Sequence, residues 1–126
     1  MKLSHLLLLS TVFTGLFGIG LMFVPDQVLP FYGLGPGRAG VLVSRLLGAV
    51  LLGAAVLNWA AVSVTDTAAH RAIAMGNMTA NGLVFVVLLT AQGQGLLTGL
   101  GWPTITLSLL FALGFGYYYL TTTGRR

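Results

Sequence analysis

A chain of 126 residues with 6% charged and 56% hydrophobic side chains cannot cover a water-facing surface, since soluble domains carry about 25% charged residues; the composition places residues 1–126 in a membrane as one integral domain. The absence of cysteine excludes disulfides, thiol redox chemistry and thiolate metal sites. The formal charge of +4 comes from Lys2, Arg38, Arg45, Arg71, Arg125 and Arg126 against Asp26 and Asp66, and with the cations near helix ends their expected partners are the bilayer and its anionic headgroups, not nucleic acid.

The first predicted span covers residues 3–24. Its Met-Lys start followed by Leu6 to Leu9 resembles a signal peptide. Its apolar run of about 20 residues exceeds a signal core of roughly 7–15, and no Ala-x-Ala type site follows. An uncleaved transmembrane helix is expected, ended by Pro25-Asp26, with Gly15 and Gly18 open to a neighbouring helix. Residues 25–40 hold three prolines and four glycines, which argues against regular helix. Phe31 and Tyr32 are expected there as interfacial anchors.

The second span covers residues 41–62, with Trp59 at its end. Within it, Ser44, Gly48, Leu51, Ala55 and Asn58 fall in a strip roughly 80° wide at about 100° per residue. Small and polar strips in lipid are helix-packing surfaces, and the short polar connector 63–69 points to the third helix as the partner. Asp66 is a candidate cap for that helix, in competition with Thr65 and Thr67.

The third span covers residues 70–90. Asn77 and Asn81 share a face, and Gly76 and Ala80 lie on an adjoining strip. The loop 91–101 is rich in glycine and carries no charge. It does not follow a strand, so its GQG and GLG triplets do not suggest a nucleotide site. Trp102-Pro103 opens the fourth span, residues 102–119, where Ala112 and Gly116 form a small-xxx-small pair and Tyr117 to Tyr119 an aromatic anchor. Arg125-Arg126 is read as a frayed tail. The expected fold is all-α, a four-helix transmembrane bundle with antiparallel up-down topology.

Four spans place both termini and the 63–69 connector on one side. That side carries Lys2, Arg71, Arg125 and Arg126, against Arg38 and Arg45 on the other. The positive-inside rule then puts both termini in the cytoplasm of a multi-pass inner-membrane protein.

Candidate chemistry is sparse. Arg45, about one turn below the outer surface on this reading, either reaches headgroups, pairs with Asp26, or recognises an anion. Asn58 and Asn77 fall at similar depth and are expected to hydrogen-bond across helices, for about 0.5–2 kcal/mol each. With Asn81 they are also the candidate lining of a polar cavity for lipid or solute. His5 and His70 at one membrane level are candidate axial haem ligands, although no cofactor is called for. Ordinary catalytic sets are missing, because Asp26 and Asp66 fall on opposite faces and no metal cluster stands out. A non-enzymatic role is expected.

The run TGLFGIGLMFVPDQVLPFYGLG, followed by SRLLGAVLLGAAVLNW, a polar connector, a third helix, a glycine-bearing loop and a last apolar helix, resembles the small DoxX-like four-helix bacterial membrane proteins, over about residues 11–119. Its sharpest element is the proline-ended first helix followed by Arg45-Leu-Leu-Gly48. The resemblance implies the four-helix fold, and its relatives' links to quinone oxidoreductases and small redox systems imply a redox-complex subunit. The family's acidic positions in the last helix have no counterpart in LFALGFGYY. The leading expectation is an accessory or scaffold subunit, or a homo-oligomer packed through Ser44, Gly48, Ala55, Gly76, Ala80, Ala112 and Gly116. The alternative is a lipid or small-solute binding or transport unit using Arg45 and the asparagines.

Overall fold

The computed structural model describes residues 3–35, 37–99 and 101–123. Helix α1 (Leu3–Phe23) is followed by a four-residue helix α2 (Pro25–Val28) and a 3-10 turn (Leu29–Tyr32), then by α3 (Arg38–Ala61), α4 (Thr67–Gly93) and α5 (Gly101–Thr123). Among the described residues there is no strand. The helices α1, α3, α4 and α5 are each long and apolar enough to cross a bilayer. The protein is an all-α four-helix bundle of the multi-pass membrane class. Lys2 and the Arg125-Arg126 tail lie outside the described residues.

Local chemistry sets the ends of these helices. The α1 helix stops at Phe23, before Pro25, with Val24 in a non-helical conformation. The expectation of an irregular segment over 25–40 is corrected for residues 25–32, where Pro25 opens a helical turn and Pro30 stands second in the 3-10 turn, and holds for Gly33, Leu34, Gly35 and Gly37, which lie outside any helix. A proline at a helix start loses nothing, because its missing N–H would have had no intrahelical partner. The same tolerance admits Pro103 in the first turn of α5. Asp66 caps α4: its Oδ2 accepts the Ala69 N–H at 3.0 Å. Starting at Thr67 and running to Gly93, α4 exceeds its predicted span at both ends.

The pairing of helices corrects a second expectation. The strip on α3 packs on α1, and α4 packs on α5, while α3 and α4 touch little. Ser44, Gly48, Ala55 and Asn58 are buried as expected, but Gly48 and Ala55 meet Gly18 and Gly15 of α1 rather than α4, while Asn58 reaches both α1 and α4. A Cβ added at Gly48 would stand 2.6 Å from the Met22 nitrogen and 2.8 Å from the Gly18 carbonyl oxygen. One added at Gly18 would stand 3.0 Å from the Gly48 carbonyl. This is backbone-to-backbone packing, which only glycine permits. A short connector makes two helices neighbours in sequence, but the depth of contact follows from where the glycines fall.

On α4 the inward face carries Ala74, Asn77, Met78 and Asn81. Gly76 and Ala80 sit about 100° away and are exposed; a Cβ at Gly76 would meet nothing within 4 Å. They are not packing residues within the chain. Gly116 is: it is buried, and a Cβ there would lie 3.1 Å from the Met78 sulfur. Ala112, one turn earlier on α5, is half-buried.

The two helix pairs join most tightly at the end that holds the 62–66 connector. Leu3, Leu6, Leu7, Ala61, Ala74, Phe111 and Phe115 form a continuous core there. Phe115 and Leu7 are essentially inaccessible. The rings of Phe111 and Phe115 stack at 6.3 Å. Arg71 lies over the Tyr119 ring, 4.9 Å from its centroid, so the expected tyrosine anchor is divided: Tyr117 is exposed, while Tyr118 and Tyr119 pack against the core.

Candidate functional site

Above this core the bundle carries a layer of polar side chains. Asn58 Nδ2 donates to Asn77 Oδ1 at 3.0 Å, and Asn77 Nδ2 donates back to Asn58 Oδ1 at 2.9 Å. Asn58 also donates to Ser10 Oγ at 3.2 Å, and Asn77 to the Ile73 carbonyl at 3.0 Å. Ser10 is the member of this layer that sequence reasoning missed. One serine in the run LLLLSTVF has no periodic signal, and its role depends on α1 lying against α3. The two carboxamides spend their hydrogen-bonding capacity on each other, on Ser10 and on backbone, so Asn58 and Asn77 hold α1, α3 and α4 together across the apolar interior.

Beyond that layer the pairs separate around a cavity of about 380 Å³. Its floor is formed by Phe13 and Phe111, whose rings meet edge to face at 6.1 Å. Phe17 and Leu21 line it from α1, Leu47 and Leu51 from α3, Val84 and Leu88 from α4, and Leu107 from α5. Polar groups on the wall are few: Thr14, Tyr32, Ser44, Asn81, Thr104 and Ser108.

The far end is capped by two loops that lock together. The Thr98 N–H donates to the Tyr32 carbonyl at 2.8 Å. Gly33 and Gly99 both take positive φ, at 75° and 60°, and side chains there would collide with Thr98 and with the Phe31 carbonyl respectively. Leu97 is buried beneath this junction. Tyr32, expected as an interfacial anchor beside Phe31, instead turns inward: Phe31 is exposed and Tyr32 is buried. Its hydroxyl hydrogen-bonds Thr104 Oγ1 at 2.8 Å, and its ring lies 6.3 Å from that of Phe17. Burial pushes the Tyr32 phenol above its ordinary value, with the Thr104 hydrogen bond acting the other way.

Tyr32, Phe17, Phe13 and Phe111 fill the seam between α1 and α5. Glycine packing seals α1 against α3, and α4 packs along α5. The remaining seam lies between α3 and α4, where Leu47 and Leu51 face the cavity from one side and Val84 and Leu88 from the other.

The structure separates the predicted site residues. Asn81 lines the cavity; Asn58 and Asn77 form the layer below it. Arg45 is exposed and does not line the cavity. Because α3 begins at Arg38, Arg45 lies seven residues inside the helix, about 10 Å from its start at 1.5 Å per residue. Among the described residues, Arg45 and Asp26 form no ion pair. His5 is exposed, and His70 places Nε2 3.3 Å from the Ala61 carbonyl oxygen. They belong to α1 and α4, which contact each other little, and the structure does not gather them into a site. Among the described residues no group of three His, Asp or Glu side chains could hold a metal ion.

A family model described as a domain of unknown function, DUF8292, matches residues 1–120. The chain belongs to this family. No curated protein and no solved structure matches it. Family membership covers α1 to α5 nearly entire, cavity and cap included, and assigns them no activity.

Proposed function

We propose that this protein binds an apolar, lipid-like molecule inside the membrane. The observation that carries the reading is the cavity: about 380 Å³, walled almost wholly by aliphatic and aromatic side chains, and set between two helix pairs that are solidly packed elsewhere. Pockets for small ligands have this character, a largely preformed apolar volume with a few placed polar groups. Access is sideways from the bilayer, through the seam between α3 and α4, because the cap and the aromatic seam obstruct the other approaches. The role is one of binding or carrying, without chemistry.

The protein lies in the inner membrane with both termini in the cytoplasm. The core end then faces the cytoplasm, with Arg71 beside it, and the cap faces outward. Exposed Arg38 and Arg45 on α3 are available to anionic headgroups of the outer leaflet.

An accessory or oligomer-forming role has narrower support. The strips on α3 and at Gly116 are occupied within the chain. The outward face of α4, with Met75, Gly76, Thr79 and Ala80 exposed, is the surface through which copies or a larger membrane complex would pack.

Native mass spectrometry of protein extracted in mild detergent tests the binding reading. About one retained apolar molecule per chain is expected, lost when Leu51→Trp fills the cavity. Equal retention by both proteins would refute it.

A further inference from the structure

The polar atoms on the cavity wall divide into those already engaged and those that are not. Tyr32 and Thr104 bond each other at 2.8 Å, and the Ser108 hydroxyl donates to the Thr104 carbonyl at 2.9 Å. The hydroxyls of Thr14 and Ser44 have no hydrogen-bond partner among the described residues. Asn81 donates from Nδ2 to the Asn77 carbonyl at 2.9 Å. A carbonyl can only accept, so the amide nitrogen must be the atom facing it. The Asn81 Oδ1 is therefore the unspent acceptor. Ser10 and Asn77 both bond Asn58, so Thr14 and Asn81, each four residues further toward the cap on its helix, stand at one level about 6 Å above that layer; a hydroxyl or carbonyl left without a partner among apolar walls is costly.

Depth and charge narrow what would satisfy these atoms. At 1.5 Å per residue, Ser44 lies about 9 Å below the capped end of α3, Thr14 about 13 Å below that of α1, and Asn81 about 18 Å below that of α4. These depths are inside the hydrocarbon, not at headgroup level. No Asp, Glu, Lys, Arg or His lines the cavity, so an ionic headgroup drawn in would have no counter-charge.

We infer that the occupant is an uncharged lipid bearing a hydroxyl group, which donates to Asn81 Oδ1 and exchanges a hydrogen bond with the Thr14 hydroxyl at the same level, while its hydrocarbon fills the space under the cap. This rests on the cavity-binding reading and specifies it. A phospholipid headgroup and a fatty-acid carboxylate are both excluded by the missing counter-charge. A pure hydrocarbon leaves the Asn81 oxygen and the Thr14 hydroxyl unsatisfied.

The test uses the full chain in phosphatidylcholine nanodiscs and a photoreactive diazirine derivative of hexadecanol. Labelling is mapped by peptide mass spectrometry and competed with unlabelled hexadecanol, hexadecane, hexadecyl sulfate and hexadecyltrimethylammonium. Label is expected on cavity segments of α3 and α4. Hexadecanol should compete at a concentration about tenfold below that of hexadecane, a difference of about 1.4 kcal/mol, and the two ions more weakly still. In Thr14→Val/Asn81→Leu, hexadecanol should fall to the level of hexadecane, whose own competition stays unchanged; Thr14→Val alone should show part of the loss, and melting curves verify that both variants fold. If either ion competes as well as the alcohol, or if the double variant does not discriminate less, the hydroxyl-lipid inference is overturned while cavity binding stands. If Leu51→Trp leaves labelling intact, both fall.

Discussion

The two ends of this bundle use the same helices and nearly the same residue types, yet one is solid and the other hollow. At the connector end, Leu7, Ala74 and Phe115 fill the interior, and Ala61 and Ala74 let α3 and α4 approach. At the capped end the interior positions of α3 and α4 are Leu47, Leu51, Val84 and Leu88, which line the cavity instead of filling it, while Phe13 and Phe111 bridge the pairs on the α1–α5 side. Burial and dispersion stabilise the first end. The second is held from outside: by the α1–α3 glycine contact, by the α4–α5 packing, and by the Thr98–Tyr32 hydrogen bond across its top. A solid end keeps the helices in register, and a framed end leaves room for something else.

Substitutions should separate the two ends by their size of effect. Phe115→Ala, in the solid end, should cost about 3–5 kcal/mol, the range for emptying an aromatic site in a packed core, read as a lower midpoint in detergent-denaturant unfolding. Gly48→Val is expected to cost about 1–3 kcal/mol or more, because the added atoms meet backbone of α1 that cannot yield without moving the helix. In the polar layer, Asn58→Leu should cost about 1–3 kcal/mol by stranding the Asn77 carboxamide. The double variant Asn58→Leu/Asn77→Leu should recover part of that loss, and a double-mutant cycle measures the coupling. In the hollow end, Val84→Phe should change stability by less than about 1 kcal/mol, since the larger ring enters existing space instead of creating strain.

Tyr32 offers a pH test confined to the cap. Its phenol is raised by burial above the ordinary 10.0, so the folded state favours the neutral form. That contribution is fully present below about pH 10 and is lost as pH rises through the folded-state value. Melting temperatures of the wild type should fall more steeply in this alkaline range than those of Tyr32→Phe; parallel profiles would show that the phenol is not buried.

Much of the fold was legible in the sequence because lipid leaves few options: four apolar runs, a proline-ended first helix and an Asp66 cap define four spans. The Asn58–Asn77 bond was also legible, since the connector fixes the two residues at similar depth. Helix pairing was not. The Ser44–Asn58 strip announces a contact but not its partner, and Gly15 and Gly18 are equally anonymous until the helices are placed together. The cavity was invisible for the same reason, being a property of four faces at once. Arg45 is a charge within an apolar span, but its place along the helix says nothing about its direction, and it is exposed. Residue type alone makes Tyr32 an interfacial anchor, whereas the 3-10 turn at Leu29–Tyr32 turns it inward and leaves Phe31 outside.

The most direct measurement is an experimental structure of the protein in lipid nanodiscs, determined to a resolution that shows side chains. The expected result is elongated non-protein density between α3 and α4, in contact with Leu51, Asn81 and Leu107 and closed off by Tyr32. An interior in which α3 and α4 pack together along their whole length, leaving no space between the pairs, would contradict it.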